Sequence, residues 1–307
     1  MRIIFFGTTN ESLDLLLALS EKHEIVAIIS KETPRNSKRR SFEKSEIFKF
    51  SIKNNILFLD PNQLNNEFEK IIKDLKPDLS IVISYGKILK KPLIQIPKFG
   101  TINIHPSLLP LYRGPSPIQN TIINQDKSSG FTIIQMNEGI DSGDILYKSK
   151  KFILNQTEKY EDLLKLFFHE ASKVINRVLY DIEKNKIKPQ RQNSKEASYT
   201  KLIKKESGQI NWNDSSSIIF AKYRAFNNWP KIHSFHSEKR FIIHELELSE
   251  FESSKPGRVE KINGSIYVHS STNMLQLKTI QFEGKKHVDA LTYFNNFDLS
   301  KIILKTK

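Results

Sequence analysis

An amide, an imidazole and a carboxylate are the side chains of this sequence that are best suited to act together chemically. Asn103 and His105 stand two residues apart at the end of an extended run, and Asp141 follows in the turn-forming sequence Ile-Asp-Ser-Gly. Residues i and i+2 of a β-strand point to the same face, so the amide and the imidazole would project side by side. Asp141 could then supply the carboxylate that orients the histidine.

These three side chains could catalyse acyl transfer to an amine without a covalent intermediate. An imidazole and an α-amino group have ordinary pKa values of about 6.5 and about 8, so a proton passes readily between them near neutral pH. A carboxylate stabilises the charged imidazole, and an amide NH₂ donates to a carbonyl oxygen that becomes negative in a tetrahedral intermediate. The amine substrate is its own nucleophile. The alternative is structural: the Asn and His bond backbone groups, and the Asp closes an Asx-type turn.

The first part of the chain, which must position these residues, alternates between strand and helix signals. Apolar strands are predicted at residues 2–6, 24–30, 56–59, 79–84, 100–104 and 131–136. Helices are predicted at residues 10–19, 44–52, 64–75, 117–123 and 157–183. This order predicts an α/β fold, a Rossmann-like and mostly parallel sheet with helices on both faces. The Asn/His pair would lie at the carboxyl end of a strand, where open α/β sheets bind ligands.

The composition changes after about residue 186. Residues 188–208 are polar and basic and lack a sustained period, which predicts a linker. Beyond them, a helical stretch at 215–226 precedes short alternating runs that are separated by Pro-Gly, Asn-Gly and Glu-Gly turn signals. This pattern predicts a small β-barrel or sandwich. We therefore expect a catalytic domain over residues 1–187, a linker over 188–208 and a second, smaller domain over 209–307.

The composition excludes several classes of protein. The 307 residues include no cysteine, which rules out disulfides, thiolate metal sites and a cysteine nucleophile, and fits a reducing cytoplasm. No apolar run approaches the roughly 18 residues of a membrane-spanning helix, and the N-terminus lacks the pattern of a signal peptide. His233, His236 and His244 are possible metal ligands, but they lie in the predicted barrel and no helical His-Glu-x-x-His motif is present, so we expect surface or barrel histidines and no metal. A cytoplasmic enzyme or binding protein without membrane contact is expected.

The chain has a net charge of +14, and two clusters of basic residues make this charge informative about a partner. The first holds four basic residues in six: Arg35, Lys38, Arg39 and Arg40. The second, from Lys184 to Lys205, holds eight Lys or Arg against one acid. Two such segments on one protein indicate a polyanionic partner such as nucleic acid. For either segment alone, a solvated surface loop is the alternative.

Three strings around the candidate site have a recognisable pattern. They are His105-Pro-Ser-Leu-Leu-Pro-Leu-Tyr-Arg-Gly-Pro-Ser-Pro-Ile-Gln119, Ser129-Gly-Phe-Thr-Ile-Ile-Gln-Met136 and Asp141-Ser-Gly-Asp144. They resemble the core of the folate-dependent formyltransferases, above all the branch that acts on methionyl-tRNA. The resemblance extends along the chain to residues 2–8, 84–89, 204–212, 224–230 and 281–286.

The resemblance implies transfer of a formyl group from 10-formyltetrahydrofolate to the α-amino group of methionine on initiator tRNA. Matched position by position, Asn103, His105 and Asp141 fall on the family's catalytic trio. The family's tetrahydrofolate-contacting loop matches Ser107, Leu108, Leu109 and Pro110. The loop that it inserts toward the tRNA acceptor end matches Arg35, Lys38, Arg39 and Arg40. The second domain would be an OB-like barrel, a fold that binds nucleic acid, and we expect a monomer.

The sequence departs from the family pattern at three places outside the trio. Residues 33–40 contain no glycine where the family loop is glycine-rich, Pro115 and Ser116 replace small alanines, and residues 227–231 lack the usual proline and glycine. Two other functions stay open: a folate-dependent formyltransferase that acts on a nucleotide-linked amino sugar, and a non-catalytic RNA-binding protein on the same scaffold. A glycinamide ribonucleotide formyltransferase fits less well, because that enzyme is essentially the first domain alone.

Overall fold

A computed structural model describes residues 1–31, 44–60, 62 and 66–305 of the chain. The described chain divides into two compact units. The first comprises Met1–Pro117, Ser128–Phe152 and Leu164–Lys201. The second comprises Ile118–Lys127, Ile153–Leu163 and the chain from Leu202 onward.

The first part of the chain forms the predicted alternation of strands and helices. Its strands are β1 Arg2–Gly7, β2 Glu24–Ile29, β3 Leu57–Leu59, β4 Leu79–Ile83, β5 Thr101–His105, β6 Ser128–Ser129, β7 Thr132–Gln135, β8 Ile145–Lys148 and β9 Phe152–Ile153. Its helices are α1 Ser12–Ser20, α2 Glu46–Lys53, α3 Asn66–Asp74, α4 Lys91–Gln95, α5 Pro117–Ile123 and α6 Tyr160–Glu183. The predicted elements are therefore present, with bounds that differ by a few residues at their ends.

Seven of these strands form one sheet in the order β3-β2-β1-β4-β5-β7-β8. The pairs from β3 to β5 are parallel, whereas β7 runs antiparallel to both β5 and β8. The five residues of β4 are all buried, as expected for a central strand that is covered on both faces. The strand order reverses between β1 and β4, and ligands bind at the carboxyl ends of strands beside such a switch point. The mostly parallel α/β sheet of the prediction is confirmed.

The second unit contains an antiparallel sheet whose main path is β10-β11-β14-β13-β12. Its elements are α7 Ser216–Ala225, β10 Ile232–His236, β11 Lys239–Glu252, β12 Val259–Ile262, β13 Ser265–His269, β14 Asn273–Phe282, β15 Val288–Asp289 and α8 Ala290–Phe294. The C-terminal segment joins the two edges of this sheet, because Lys305 bridges to Phe235 of β10 and Ile303 bridges to Arg258 beside β12. This closure gives the small barrel that the sequence predicts.

The described helices and the interior of the second unit each show one further feature. None of the described helices has the length and apolar character that a membrane span requires. In the second unit, the buried Trp212 donates its indole N–H to Ser234 Oγ at 2.9 Å, so this large side chain has a polar partner inside the barrel.

Candidate active site

Strand β5 presents Asn103 and His105 to one face of the sheet. Their neighbours Ile102 and Ile104 are buried and alternate with them along the strand. The strand lies between β4 and β7, since Asn103 is paired with Val82 on one side and with Ile134 on the other. The side chains of β5 therefore alternate between the two faces of the sheet as the sequence predicts, and the amide and the imidazole project from the same face.

The Asp141 carboxylate meets both of these side chains. Its Oδ1 accepts a hydrogen bond from Asn103 Nδ2 at 3.1 Å, and its Oδ2 lies 3.5 Å from His105 Nδ1. Oδ2 also accepts from the backbone N–H of Gly114 at 2.7 Å. The structure thus brings together the three side chains that the sequence singled out, around one carboxylate that three groups hold in place.

The second ring nitrogen of the histidine also faces an oxygen. His105 Nε2 lies 2.9 Å from the carbonyl oxygen of Tyr112, which can only accept, so Nε2 carries the hydrogen in this contact. Tyr112 adopts a left-handed conformation with φ of 58°. An imidazolium at this position would have an oxygen acceptor for each N–H, a carbonyl on one side and a carboxylate on the other.

The loop of Ser107, Leu108, Leu109 and Pro110 is held from within. Ser107 Oγ donates to the carbonyl of Leu111 at 2.6 Å, and Thr132 Oγ1 donates to the carbonyl of Ser107 at 2.7 Å. The N–H of Leu109 in turn donates to Thr132 Oγ1 at 3.0 Å. The Leu109 side chain packs in a buried cluster with Ile134 and Ile145. The side chains of Ser107 and Leu109 and most backbone groups of the loop are therefore engaged in the fold, and Leu108 is the least buried of the four residues.

Exposed apolar side chains flank the site on two neighbouring loops. Lys91 Nζ lies 2.6 Å from Glu138 Oε1, which joins the start of α4, at the end of the loop after β4, to the loop that carries Asp141. This hydrogen bond and the charge of Glu138 raise the pKa of Lys91. Ile88 on the first loop is 82% exposed, and Ile140 on the second is 59% exposed. These two side chains therefore expose apolar surface on the loops before α4 and before Asp141.

Gly143 explains why a glycine follows Asp141 and Ser142. A Cβ at this position would lie 1.7 Å from the carbonyl oxygen of Gln135, so no side chain fits without moving the backbone. The chain approaches β7 this closely because Gln135 N–H donates to the carbonyl of Asp144 at 2.8 Å. The glycine therefore fixes the path of the loop that presents the Asp141 carboxylate.

Two residues at the site, Gln192 and Tyr199, were not indicated by the sequence pattern. Gln192 is 7% exposed and bonds both the Asp141 loop and the guanidinium of Arg113. Tyr199 also contacts Arg113, through its hydroxyl at 3.1 Å from Nη1. Gln192 and Tyr199 lie in the polar segment that was interpreted as a linker, where isolated polar residues carry no periodic signal of burial.

The other residues that the sequence analysis named are the basic residues of the first cluster and the histidines of the second domain. Arg35, Lys38, Arg39 and Arg40 lie outside the described residues. Within the described ranges, no group of three or more His, Asp or Glu side chains is arranged to hold a metal ion. His233 and His236 are buried residues of β10, with Nδ1 atoms near Arg240 Nη2 at 3.2 Å and the Tyr293 hydroxyl at 2.9 Å. They are barrel histidines, as expected from the sequence.

Comparison with known proteins identifies relatives along the whole chain. Residues 1–179 match a family model described as formyl transferase, and residues 202–298 match its C-terminal domain. The methionyl-tRNA formyltransferase of Clostridium acetobutylicum is 33% identical over 99% of this chain and 100% of that protein. The methionyl-tRNA formyltransferase of Methylacidiphilum infernorum is 35% identical over 95% of this chain and 94% of that protein.

Solved structures share the fold at lower identity. HypX from Aquifex aeolicus in complex with tetrahydrofolic acid has a TM-score of 0.68 at 16% identity, over 98% of this chain and 48% of that chain. WlaRD, a sugar 3N-formyl transferase, has a TM-score of 0.66 at 20% identity, over 93% of this chain and 99% of that chain. The first family match spans more than half of the sequence, so the chain belongs to the formyl transferase family.

Proposed function

We propose that this protein transfers the formyl group of 10-formyltetrahydrofolate to the free α-amino group of methionyl initiator tRNA. The observation that carries the proposal is that Asn103 and His105, at the carboxyl end of β5, both contact the carboxylate of Asp141. The substrate assignment is supported by relatives named methionyl-tRNA formyltransferase, which match nearly the full length of the chain.

The described residues fit a formyl-folate donor. When bound, the donor supplies the electrophilic carbonyl carbon that accepts the amine. The exposed Ile88 and Ile140 flank the polar site and offer an apolar lining for a pterin ring. Ser107, Leu108, Leu109 and Pro110 are proposed to contact the donor, with Leu108 as the most accessible side chain of the loop. One solved neighbour is described as in complex with tetrahydrofolic acid and another as in the presence of dTDP and 5-N-formyl-THF, which supports this class of ligand.

Asn103 is proposed to stabilise negative charge on the formyl oxygen. Its Nδ2 carries two hydrogens, and the 3.1 Å bond to Asp141 Oδ1 engages one of them. That bond fixes the plane of the amide and therefore the direction of the second hydrogen. A donor that is oriented before the reaction needs no reorganisation when charge develops, which is the basis of oxyanion stabilisation.

His105 is proposed to receive the proton that the amine loses. With Nε2–H donated to Tyr112, the lone pair of the neutral ring is on Nδ1, which faces Asp141 Oδ2 at 3.5 Å. A proton held at Nδ1 therefore lies between the ring and the carboxylate, and the positive charge has a partner. Asp141 acts as the group that orients and stabilises the imidazolium, and an amine that attacks directly requires no covalent enzyme intermediate.

The second unit and the basic segment before it are proposed to hold the tRNA. From Lys184 to Lys205 the chain carries eight basic residues against one acid, which suits a phosphate backbone. Residues 1–187, 188–208 and 209–307 are then the catalytic, linking and tRNA-binding parts. The proposed site of action is the cytoplasm, where translation begins. A monomer is proposed, and light scattering of the purified protein tests it.

A formyltransferase of a nucleotide-linked amino sugar is the second candidate. It is favoured by the likeness to WlaRD, whose length is covered almost completely. The identity of 20% shows the fold alone, however, whereas the methionyl-tRNA formyltransferases match at 33% and 35%. The proposed tRNA substrate is therefore preferred.

A single-turnover assay separates the two candidates. The protein is mixed with 10-formyltetrahydrofolate and either methionyl initiator tRNA or a dTDP-linked amino sugar, and the formylated product is measured. Formylation of the tRNA and not of the sugar supports the proposal, and the reverse result overturns it. Loss of donor consumption in Asp141→Asn, with turnover kept in Asp144→Asn, would assign the reaction to this site, because Asp144 is an exposed neighbour.

A further inference from the structure

Gln192 holds the backbone of the loop that carries Asp141. Its Nε2 donates to the carbonyl of Asp141 at 2.8 Å and to the carbonyl of Gly143 at 2.7 Å. The side chain is almost fully buried, so water does not compete freely for these two bonds. Both hydrogens of one amide group therefore bridge the two carbonyls that flank Ser142.

The oxygen of the same amide is bonded to Arg113. Gln192 Oε1 accepts from Arg113 Nη2 at 2.8 Å and from Arg113 Nε at 3.1 Å. The reverse orientation of the amide would place its NH₂ against a guanidinium, which only donates, and its oxygen against two carbonyls, which only accept. Only one orientation is therefore satisfied, and all the bonding capacity of Gln192 is used in it.

Arg113 completes a closed ring of contacts around the carboxylate. The residue that follows it, Gly114, donates its N–H to Asp141 Oδ2 at 2.7 Å. The backbone of Arg113 is itself fixed, because its N–H donates to Ser198 and its carbonyl accepts from Thr200. The ring thus runs from the Asp141 carboxylate through Gly114 and Arg113 to Gln192, and back to the Asp141 carbonyl.

We propose that Gln192 is a positioning residue for the formyl transfer reaction, and that it acts through Asp141 and Arg113 without touching the substrates. This inference rests on the proposed function, in which Asp141 serves the histidine. Asp141 has a left-handed backbone with φ of 46°, a conformation that costs a non-glycine residue free energy. The two bonds from Gln192 stabilise that conformation, and with it the direction of the carboxylate.

The consequence of losing this support is a displaced carboxylate. A shift of about 1 Å at a catalytic group can lower the rate by about 100-fold even when the change lies away from the reacting atoms. Because Gln192 is assigned no substrate contact, the loss should fall on kcat and leave KM nearly unchanged.

Two variants of Gln192 test the proposal, each with a matched control at Gln190. Gln192→Met keeps the length of the side chain and removes its hydrogen bonds. Gln192→Glu keeps an acceptor for Arg113 and replaces the two donors by an oxygen that faces the carbonyls. Gln190 lies two residues earlier and its side chain is exposed, so Gln190→Met and Gln190→Glu introduce the same changes outside the ring.

In the transfer assay, both Gln192 variants should lose about 10- to 100-fold in kcat, with KM for each substrate within about twofold of the wild-type value. The Gln190 variants should match the wild type. Arg113→Met should lower kcat as well, and the double variant with Gln192→Met should be no slower than the slower single variant, because the two residues act as one chain of contacts. Wild-type kcat in both Gln192 variants, or losses that simply multiply in the double variant, would overturn the proposal.

A second measurement does not depend on turnover. Hydrogen exchange of the Gly114 amide should be about tenfold faster in Gln192→Met than in the wild type or in Gln190→Met, measured under conditions in which each protein is folded. If protection of the Gly114 amide is unchanged in Gln192→Met, the positioning role is refuted, whatever the substrate of the protein is. The opposite combination is also informative. If exchange of the Gly114 amide is faster in Gln192→Met but the wild-type protein transfers no formyl group, the ring of contacts is supported and the proposed function is overturned.

Discussion

Oδ2 of Asp141 lies 3.5 Å from Nδ1 of His105, although α5, β6 and β7 separate the two residues along the chain. Both side chains are largely buried: that of His105 is 5% exposed and that of Asp141 is 16% exposed. Ion pairs and hydrogen bonds are stronger where water is excluded, so the carboxylate can stabilise the charged imidazole more than an exposed one would. Because Asn103 also donates to this carboxylate, the amide, the imidazole and the carboxylate form one site.

Asp141→Asn should lower turnover by at least about 100-fold while leaving the fold intact, because a neutral amide cannot stabilise the imidazolium. Single-turnover formyl transfer and the far-UV circular dichroism spectrum are the measurements. Asp144→Asn is the matched control, since it removes the same charge from an exposed position on the same loop. Full activity in Asp141→Asn would show that the carboxylate has no catalytic role.

Asn103→Ala should lower kcat by about 100- to 1,000-fold, the range found when one donor to a developing oxyanion is removed. The KM for the donor should change little, because the bond to the carbonyl oxygen strengthens mainly in the transition state. Steady-state kinetics at several donor concentrations separate the two parameters. Asn155→Ala, at an exposed position, serves as the control. A rise in KM at constant kcat would instead assign Asn103 to ground-state binding.

Gly143→Ala should destabilise the first unit by about 3 kcal/mol or more, because its Cβ would overlap the carbonyl oxygen of Gln135. Gly284→Ala provides the contrast: this glycine has φ of 71° but open space around it, so only about 1 kcal/mol of backbone strain is expected. Urea unfolding followed by circular dichroism measures both. Equal costs would mean that the loop at Gly143 adjusts freely.

The sequence was sufficient to predict the strand that presents the site and the pairing of its side chains. The period of two places Asn103 and His105 on one face whatever the tertiary structure, and Gly100 and Pro106 mark the limits of the strand. The parallel sheet followed from apolar strands that alternate with amphipathic helices. These features are local, so the sequence carries them directly.

Contacts between distant segments could not be predicted from the residues alone. The position of Asp141 depends on the close approach at Gly143, and the role of Gln192 depends on two carbonyls and a guanidinium that lie far from it in the chain. A buried glutamine in a polar segment resembles an exposed one, because nothing local distinguishes them. Residue types and spacing indicated the trio and the family resemblance matched it, but neither indicated the ring of contacts around it.

Replacing Lys38, Arg39 and Arg40 together by Gln should weaken binding of the tRNA substrate and flatten its dependence on salt. Each phosphate contact contributes about 0.7 to 0.9 to the slope of log affinity against log salt, so the slope should fall by up to about 3. Titrations between low and moderate salt measure it. Lys22, Lys70 and Lys73, which are exposed, provide a control triple substitution to Gln. An equal slope in both triple variants would make the basic loop a merely solvated segment.

His233 makes the stability of the second unit depend on pH. Burial lowers the pKa of this histidine to about 4, and the nearby charge of Arg240 adds to the effect, whereas a backbone hydrogen bond at Lys231 opposes it. Lys205 lowers the same pKa and Glu206 raises it, each to a smaller extent. The Arg240 guanidinium donates toward Nδ1 at 3.2 Å, a contact that requires this nitrogen to be unprotonated.

Because the unfolded chain binds a proton at about pH 6.5 and the folded unit only near pH 4, stability is full above pH 6.5 and falls as the pH is lowered through this window. The free energy of unfolding should fall by about 2 kcal/mol between pH 7 and pH 5 from this group alone. Both tryptophans, Trp212 and Trp229, belong to the second unit, so tryptophan fluorescence in urea reports its unfolding. His233→Gln should remove this part of the pH dependence. An unchanged slope would mean that His233 is charged in the folded barrel.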